Sequence, residues 1–348
     1  MRQLTYTAAI NEAMHIAMKT DDKLLCYGLG TDDPKNIFGT TLDLQKKFGA
    51  HRVFDMPTSE NAMTGVAVGL ALGGYPSVMS HQRLDFFLLA MDQLVNSAAK
   101  WHYMFGGQYN VPIVIRLILG RGWGQGPTHS QNLQSWFAHI PGLKVISPTS
   151  AYDAKGLLLS SIRDPNPIVF LEHRWLHNSV SEVPDLDYEI PIGKAKVVQQ
   201  GTDISLVGMS YMTVEAMRAA AYLSQFNVNC EVIDIRTIRP LDVDTIFDSV
   251  RKTKRILALD TSQPMCSVAS EIISRVSGHL FSQLKSAPQL IANPDNPEPT
   301  SFGLTKYYHP TAGDIVARVA SMLAIKIPAM PESMRPHDVP GDWFKGPF

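Results

Sequence analysis

The sequence contains only three cysteines and carries almost no net charge. Cys26, Cys230 and Cys266 lie far apart, and none belongs to a Cys-x-x-Cys pair. An odd number of scattered thiols argues against a disulfide framework and against a zinc site. The formal net charge of -1 gives no electrostatic reason to expect nucleic acid or an anionic membrane surface as a partner.

Long apolar runs and a secretory signal are also missing. No stretch reaches the roughly 20 apolar residues that a membrane-spanning helix requires. Polar residues such as Asn11, Glu12 and Lys19 interrupt the first apolar segment, so a signal peptide is not expected there. These features predict a cytoplasmic protein without a membrane-spanning segment.

Two common phosphate-binding motifs are absent as well. No Gly-x-Gly-x-x-Gly follows an apolar strand pattern, and no Gly-Lys-Ser/Thr sequence occurs. The richest glycine loop is "GRGWGQGPTHSQ" over 120–131, directly after the apolar run "PIVIRLIL". Ligands of open parallel sheets bind beyond the carboxyl ends of strands. The loop is therefore either a ligand-binding segment or a tight turn in which His129 bonds the backbone, and its sequence alone favours neither.

Two series of alternating strand and helix patterns indicate an α/β protein. In the first series, apolar runs such as "RVFDM" and "PIVFLEH" alternate with helical patterns over 60–72, 86–103 and 150–163. Continuous apolar strands between helices indicate mostly parallel, doubly wound sheets covered on both faces. We predict a first α/β domain over 1–175, a linker over 176–194, a second α/β domain over 195–326 and an extended Pro-rich tail over 327–348.

A single acid, Glu60, begins a helix of small and apolar residues in "DMPTSENAMTGVAVGLALGG". A carboxylate in the first turn interacts favourably with the helix dipole, and Thr58 or Ser59 can cap the same helix. Taken alone, this acid is better explained as a helix-start residue than as a catalyst.

Longer segments change that interpretation. The segments "RVFDMPTSENAMTGVAVGLALGGYPSV", "MDQLVNSAAKWHYMFGGQYNVPIVIR" and "EVIDIRTIRPLD" resemble the β subunits of thiamine-diphosphate-dependent 2-oxo-acid dehydrogenases, the E1 components, such as that of pyruvate dehydrogenase. The resemblance covers 4–325, is dense in the first predicted domain and becomes thinner after Asp260. It implies a transketolase-like pyrimidine-binding domain followed by a transketolase C-terminal-like domain.

The resemblance implies that the cofactor is thiamine diphosphate and that Glu60 hydrogen-bonds N1′ of its aminopyrimidine ring. Such a bond stabilises the imino tautomer, whose 4′ nitrogen then removes the proton from the thiazolium carbon. The carboxyl must share or donate a proton for this, and an apolar setting favours that state. The cofactor itself carries the decarboxylation chemistry.

The resemblance also implies roles for two further residues and one structural ion. Phe86 matches an aromatic residue beside the pyrimidine ring, although ordinary core packing is an alternative. His129 matches the histidine of a His-Ser-Gln loop at the substrate end, where it can donate a proton or orient the substrate. The segment "SSIRDPNP" resembles a loop that binds a structural potassium ion. The residues implied for that ion are Ile113, Ser161, Ile162, Asp164 and Asn166.

The missing half of the cofactor site implies a partner chain. Enzymes of this type hold the diphosphate through Mg2+ on a Gly-Asp-Gly segment, and this sequence contains none. The resemblance therefore implies an α subunit that carries the motif and Mg2+, in an α2β2 assembly, with the β chain active only in that assembly. A lipoyl-bearing E2 acyltransferase is a further expected partner.

Two segments depart from the family pattern. In "YGLGTDD", Leu29 and Gly30 replace acids that relatives carry near the route between paired active sites. In "SHQRLDF", His81, Gln82 and Arg83 replace an apolar stretch. This second segment is either a polar subunit interface or a substrate site, because arginine pairs well with anionic groups.

We therefore expect an oxidoreductase subunit that decarboxylates a small 2-oxo acid and passes the acyl group to a lipoyl domain. Two alternatives remain open at this point. The fragment can instead pass to an aldehyde, as in a transketolase-like or acyloin-forming enzyme of a specialised pathway, or the chain can be a non-catalytic scaffold subunit.

Overall fold

The computed structural model describes residues 2–33, 36–120 and 125–331. The chain forms two compact units. The first comprises the described residues up to Ile192 except 125–127, and the second comprises 125–127 and the described residues from Gly193 onward. Each unit is an α/β layer structure, as the sequence pattern predicts.

The first unit contains six parallel strands and a separate antiparallel pair. The parallel strands follow the order β6-β7-β5-β4-β2-β3, and β1 pairs with β8. The elements are β1 (Arg2–Thr5), α1 (Tyr6–Thr20), β2 (Leu25–Gly28), α2 (Asn36–Gly39), α3 (Leu44–Phe48), β3 (Val53–Asp55), α4 (Glu60–Leu72), β4 (Ser77–His81), α5 (Leu84–Phe87), α6 (Ala99–Met104), β5 (Ile113–Leu119), α7 (Gln134–Ala138), β6 (Lys144–Ile146), α8 (Ala151–Arg163), β7 (Ile168–His173) and β8 (Val180–Val183).

The central strands are buried on both faces. Every residue of β4, β5 and β7 is buried. This explains why β5 and β7 are mostly apolar in the sequence instead of alternating between apolar and polar residues. The prediction of a mostly parallel sheet covered by helices is confirmed.

The helical segment predicted over 86–103 is confirmed, but it is not a uniform α-helix. After α5 the chain forms a 3-10 turn (Leu88–Ala90), then a π-helical turn (Gln93–Ala98), and only then α6. Apolar periodicity near 3.6 residues does not distinguish a continuous α-helix from neighbouring turns wound more tightly and more loosely.

The second unit contains a five-stranded sheet with the order β14-β13-β10-β11-β9, in which only β9 runs antiparallel. Its core joins buried residues of the sheet, α9 and α13. The elements are β9 (Lys196–Gln199), β10 (Ile204–Gly208), α9 (Tyr211–Ser224), β11 (Cys230–Asp234), β12 (Thr237–Arg239), α10 (Val243–Thr253), β13 (Ile256–Leu259), α11 (Val268–Leu280), β14 (Gln289–Ile291), α12 (Phe302–Thr305) and α13 (Ala312–Leu323).

The exact domain boundaries stay a prediction. The segment predicted as a linker, 176–194, includes β8, which pairs with β1. Of the predicted tail, the described part contacts α9, where the Tyr222 hydroxyl donates to the carbonyl oxygens of Pro328 and Ala329. The rest of the predicted tail, 332–348, lies outside the described residues. Among the described helices, none has both the length and the hydropathy needed to cross a bilayer.

Candidate active site

Three segments that follow parallel strands of the first unit carry the predicted site residues. Glu60 follows β3, the segment 82–86 follows β4, and His129 lies in the loop after β5. The carboxyl ends of parallel strands meet at one edge of the sheet, where ligands of such folds bind. The described part of the site comprises Glu60 and residues 82–86 and 128–131, whereas 121–124 of the glycine loop lie outside the described residues.

Glu60 is the first residue of α4 and is only 4% exposed. Ser59 makes no side-chain cap bond, and the main-chain carbonyl of Glu60 accepts a hydrogen bond from the Thr64 hydroxyl at 2.8 Å. Within the described part of the chain, the Glu60 carboxylate has no hydrogen-bond or ion-pair partner. A carboxylate with so little solvent contact and no protein partner is poorly stabilised. Glu60 is therefore suited to receive a donor from a bound molecule.

Phe86 and His129 form an aromatic pair. Their ring centroids lie 5.3 Å apart with an interplanar angle of 85°, an edge-to-face arrangement. Phe86 is 37% exposed, whereas its neighbour Phe87 is fully buried. Phe86 is therefore not an ordinary core residue. The ring Nδ1 of His129 lies 3.0 Å from the Thr128 hydroxyl.

Asp85, which no sequence pattern singles out, joins the same two segments. Its Oδ1 accepts hydrogen bonds from the backbone N–H of Gln131 at 3.3 Å and from the Gln131 side-chain amide at 2.8 Å. Its Oδ2 is buried without a partner in the described structure. Burial raises the pKa of Asp85, and the bonds from Gln131 oppose that rise.

The two segments that depart from the family pattern meet in space. Gly30 has a φ of +79°, and a Cβ at this position would collide with the side-chain amide of Gln82. The backbone N–H of Gly30 also donates to Asp55 Oδ1 at 2.6 Å. Glycine at position 30 therefore leaves room for Gln82, whose side chain is exposed.

The other two predicted substrate residues are buried. Arg83 is 4% exposed, and its Nη1 donates to the carbonyl oxygen of Gly120 at 3.0 Å. His81 packs edge-on against Phe87, and burial lowers the pKa of His81 to about 4. Neither ring nitrogen of His81 has a partner among the described residues. Substrate contact by His81, Gln82 or Arg83 stays a prediction.

A buried ion pair links the central strands. Arg116 of β5 makes two bonds to Glu172 of β7, at 2.6 and 3.0 Å, and donates to the Ser80 hydroxyl of β4 at 3.1 Å. Burial alone would raise the pKa of Glu172, but the Arg116 guanidinium and the nearby His177 together lower it to about 2.

Four of the five residues implied for potassium lie in the last turn of α8 and the turn that follows it, whereas Ile113 is the first residue of β5. Ser161 and Ile162 belong to the last turn of α8, where the Ser161 carbonyl oxygen accepts a bond from the backbone N–H of Asp164 at 3.4 Å. Asp164 pairs with Lys144, and its Oδ1 accepts two bonds from Asn166, each 2.9 Å long. These oxygens suit a hard cation, although the Lys144 ammonium already lies beside them. In the described ranges, no group of three or more His, Cys, Asp or Glu side chains could hold a metal ion.

Comparison with known proteins places both units. The family model "Transketolase, pyrimidine binding domain" matches residues 2–178, and "Transketolase, C-terminal domain" matches residues 193–315. A solved structure of a split-gene transketolase, an inactive beta4 tetramer, has the same fold. It superposes with a TM-score of 0.73 at 20% identity, over 93% of this chain and 99% of that one.

Three curated relatives extend this comparison to sequence. The β subunit of an acetoin:2,6-dichlorophenolindophenol oxidoreductase from Cupriavidus necator is 38% identical over 91% of this chain and 96% of its own length. Pyruvate dehydrogenase E1 β subunits from Rhizobium meliloti and Oryza sativa are 38% and 40% identical. They match 92% and 90% of this chain, and 70% and 85% of their own lengths. This chain therefore belongs to the transketolase-like family of β subunits of thiamine-diphosphate-dependent 2-oxo-acid dehydrogenases.

Proposed function

We propose that this chain is the catalytic β subunit of a heteromeric enzyme that decarboxylates a 2-oxo acid and transfers the acyl group to a lipoyl domain. The observation that carries the proposal is the buried Glu60 carboxylate, which has no partner within the described chain. Glu60 begins α4 at the edge of the sheet where parallel strands end. Phe86 and His129 also follow parallel strands at this edge and pair with each other.

The described residues fit thiamine diphosphate. When bound, that cofactor supplies an acidic thiazolium carbon that adds to a carbonyl group and accepts the electrons left by departing CO2. Glu60 would hold the N1′ side of the aminopyrimidine and keep a proton shared at that nitrogen. Phe86 would contact the pyrimidine ring, since over a third of its surface is open.

His129 would serve the substrate end of the site. An imidazole can give a proton to the substrate carbonyl oxygen or hold that oxygen in place. Its Nδ1 lies next to the Thr128 hydroxyl, so Nε2 is the nitrogen that remains for the substrate. Gln82, the exposed member of the predicted substrate residues, would line the same edge.

The remaining parts of the site would come from other molecules. This chain lacks a Gly-Asp-Gly segment, so we assign the diphosphate and Mg2+ to an α subunit in an α2β2 assembly. A lipoyl domain of an E2 acyltransferase would receive the acyl group. The proposal also includes a potassium ion near Asp164 and a cytoplasmic location. It divides the chain into a pyrimidine-binding domain (1–175), a linker (176–194), a second domain (195–326) and a tail (327–348).

The test is activity of the chain with and without an α subunit. We expect no turnover of 2-oxo acids by the single chain, and turnover after co-expression with the α partner, thiamine diphosphate and Mg2+. In that assembly, Glu60→Gln should lower kcat by about 10²- to 10⁴-fold, the range of a lost acid–base contribution. Glu182→Gln, at an exposed position of β8, is the matched control. Unchanged turnover by Glu60→Gln would refute the proposed mechanism.

A second candidate function uses the same residues on a hydroxyketone. The Cupriavidus relative is named as an acetoin oxidoreductase, and it covers nearly the whole chain. The assembled enzyme should therefore be offered acetoin with 2,6-dichlorophenolindophenol, 2-oxo acids with a lipoyl domain, and 2-oxo acids with aldehydes. The fastest reaction identifies the acceptor. Cofactor binding without any turnover would instead favour a scaffold subunit.

A further inference from the structure

We propose that Arg83 and Asp85 are positioning residues, which fix His129 by holding the chain on both sides of its loop. The catalytic meaning of this inference rests on the proposed function. It assigns a different role to the segment "SHQRLDF" from the substrate contact predicted from the sequence.

Gly120 and Gln131, at the two ends of the loop after β5, are in contact. The backbone N–H of Gly120 donates to the carbonyl oxygen of Gln131 at 3.5 Å, so the residue after β5 meets the residue two positions beyond His129. Gly120 has a φ of +75°, a conformation that residues with a side chain rarely adopt. Side chains that fix Gly120 or Gln131 therefore also restrain the backbone of His129, which lies between them in the chain.

Arg83 holds Gly120, the first of these two residues. Its guanidinium donates to the Gly120 carbonyl oxygen at 3.0 Å, in a buried setting where a charge-assisted bond is strong. The His173 ring also lies against Gly120, because a Cβ there would collide with the ring. The residue after β5 is thus held by the segment that follows β4 and by the last residue of β7.

Asp85 holds Gln131, the second of these two residues. One oxygen of its carboxylate accepts both the backbone and the side-chain N–H of Gln131. The next residue of α5, Phe86, contacts the ring of His129. Two consecutive residues of α5 therefore meet two positions of the loop, and the pairing fixes the direction of the imidazole.

His129 has little else to fix it. Among the described residues, the Thr128 hydroxyl is the one hydrogen-bond partner of its ring. Catalytic groups lose about 10²-fold in rate when misplaced by roughly 1 Å. Loss of Arg83 or Asp85 should therefore reduce catalysis through His129 without removing any group that touches the substrate.

Kinetics of the assembled enzyme separate positioning from substrate contact. Under positioning, Arg83→Gln lowers kcat by about 10- to 100-fold and leaves KM within about twofold. Arg83→Lys, which retains a donor, loses less. In a His129→Gln background, Arg83→Gln causes little further loss, because both changes remove the same contribution. Arg275→Gln, an exposed arginine of α11, is the charge control.

Two kinetic results would overturn the proposal. One is a rise of about tenfold in KM with unchanged kcat, which indicates direct substrate binding. The other is a loss in the double variant equal to the product of the single losses.

Hydrogen exchange tests the same contacts without any turnover, so it remains informative if the proposed function fails. In the assembled particle, Asp85→Ala should speed exchange of the Gln131 amide by about tenfold or more, since the amide loses its acceptor. Asp85→Asn keeps an acceptor oxygen and should retain much of the protection. Unchanged exchange in Asp85→Ala would show that this carboxylate does not hold the loop.

Discussion

Phe86 and His129 meet edge to face, with ring centroids 5.3 Å apart and planes at 85°. The contact connects α5, which follows one central strand, to the loop that follows the neighbouring strand. Aromatic pairs in this geometry contribute about 0.5–1.5 kcal/mol beyond the area they bury. The energy of this contact is therefore large enough to influence the orientation of the imidazole.

Replacement of Phe86 by leucine should lower kcat of the assembled enzyme by about twofold to tenfold, because leucine keeps apolar volume but loses the ring edge. The measurement is steady-state turnover with saturating cofactor. Phe281→Leu, at a side chain that is 77% exposed, is the matched control. Equal turnover in the two variants would contradict a role for the ring pair.

Much of the fold was predictable from the sequence because local burial leaves a clear pattern. Six of the seven buried residues of β5 are apolar, with Arg116 as the exception, and the buried stripe of α1 follows the 3.6-residue period. Glu60 at the start of α4 was equally visible, since a lone acid before a run of small residues is a local feature.

The contacts around His129 were not predictable in the same way. Arg83 and Gly120 are separated by 37 positions, and Asp85 and Gln131 by 46. Only the order of the strands in the sheet brings these pairs together. Chemistry alone suggested an anionic ligand for Arg83, whereas one observed acceptor of its guanidinium is the backbone carbonyl of Gly120.

Acid should destabilise the chain through its buried neutral histidines. Burial lowers the pKa of both His81 and His177 to about 4, against about 6.5 in an unfolded chain. Between these values the unfolded state binds more protons, so the free energy of unfolding falls as pH falls from about 6.5 towards 4. We expect His81→Phe to lessen the loss of stability between pH 7.5 and pH 4.5.

Urea unfolding of both proteins at the two pH values measures this effect. His139→Phe is the control, because the His139 side chain is exposed. A loss of stability on acidification that is the same in wild type and His81→Phe would remove His81 from the explanation.

Removing one member of the buried ion pair between β5 and β7 should lower the free energy of unfolding. Glu172→Gln leaves the Arg116 guanidinium buried without a carboxylate and should destabilise the chain by about 3–5 kcal/mol. Replacing both members of the pair with apolar side chains, through Arg116→Met together with Glu172→Leu, should recover most of that loss. Denaturant midpoints give the comparison.

A surface pair supplies the contrast. Glu271→Gln removes one partner of an exposed i,i+4 ion pair in α11 and should cost less than about 1 kcal/mol. If Glu172→Gln were as mild as Glu271→Gln, the buried pair would contribute nothing beyond a surface contact.

Potassium should stabilise the chain if the C-terminal end of α8 binds it. A cation held only by the folded state adds about 2.7 kcal/mol at a hundred times its Kd. The melting temperature should therefore be higher in potassium chloride than in choline chloride of equal ionic strength. Asp164→Asn should shrink this difference because it removes the carboxylate, while Asp187→Asn, which affects the exposed pair with Arg163, should preserve it. Equal melting temperatures in the two salts would mean that the Lys144 ammonium alone neutralises Asp164, and that no potassium binds there.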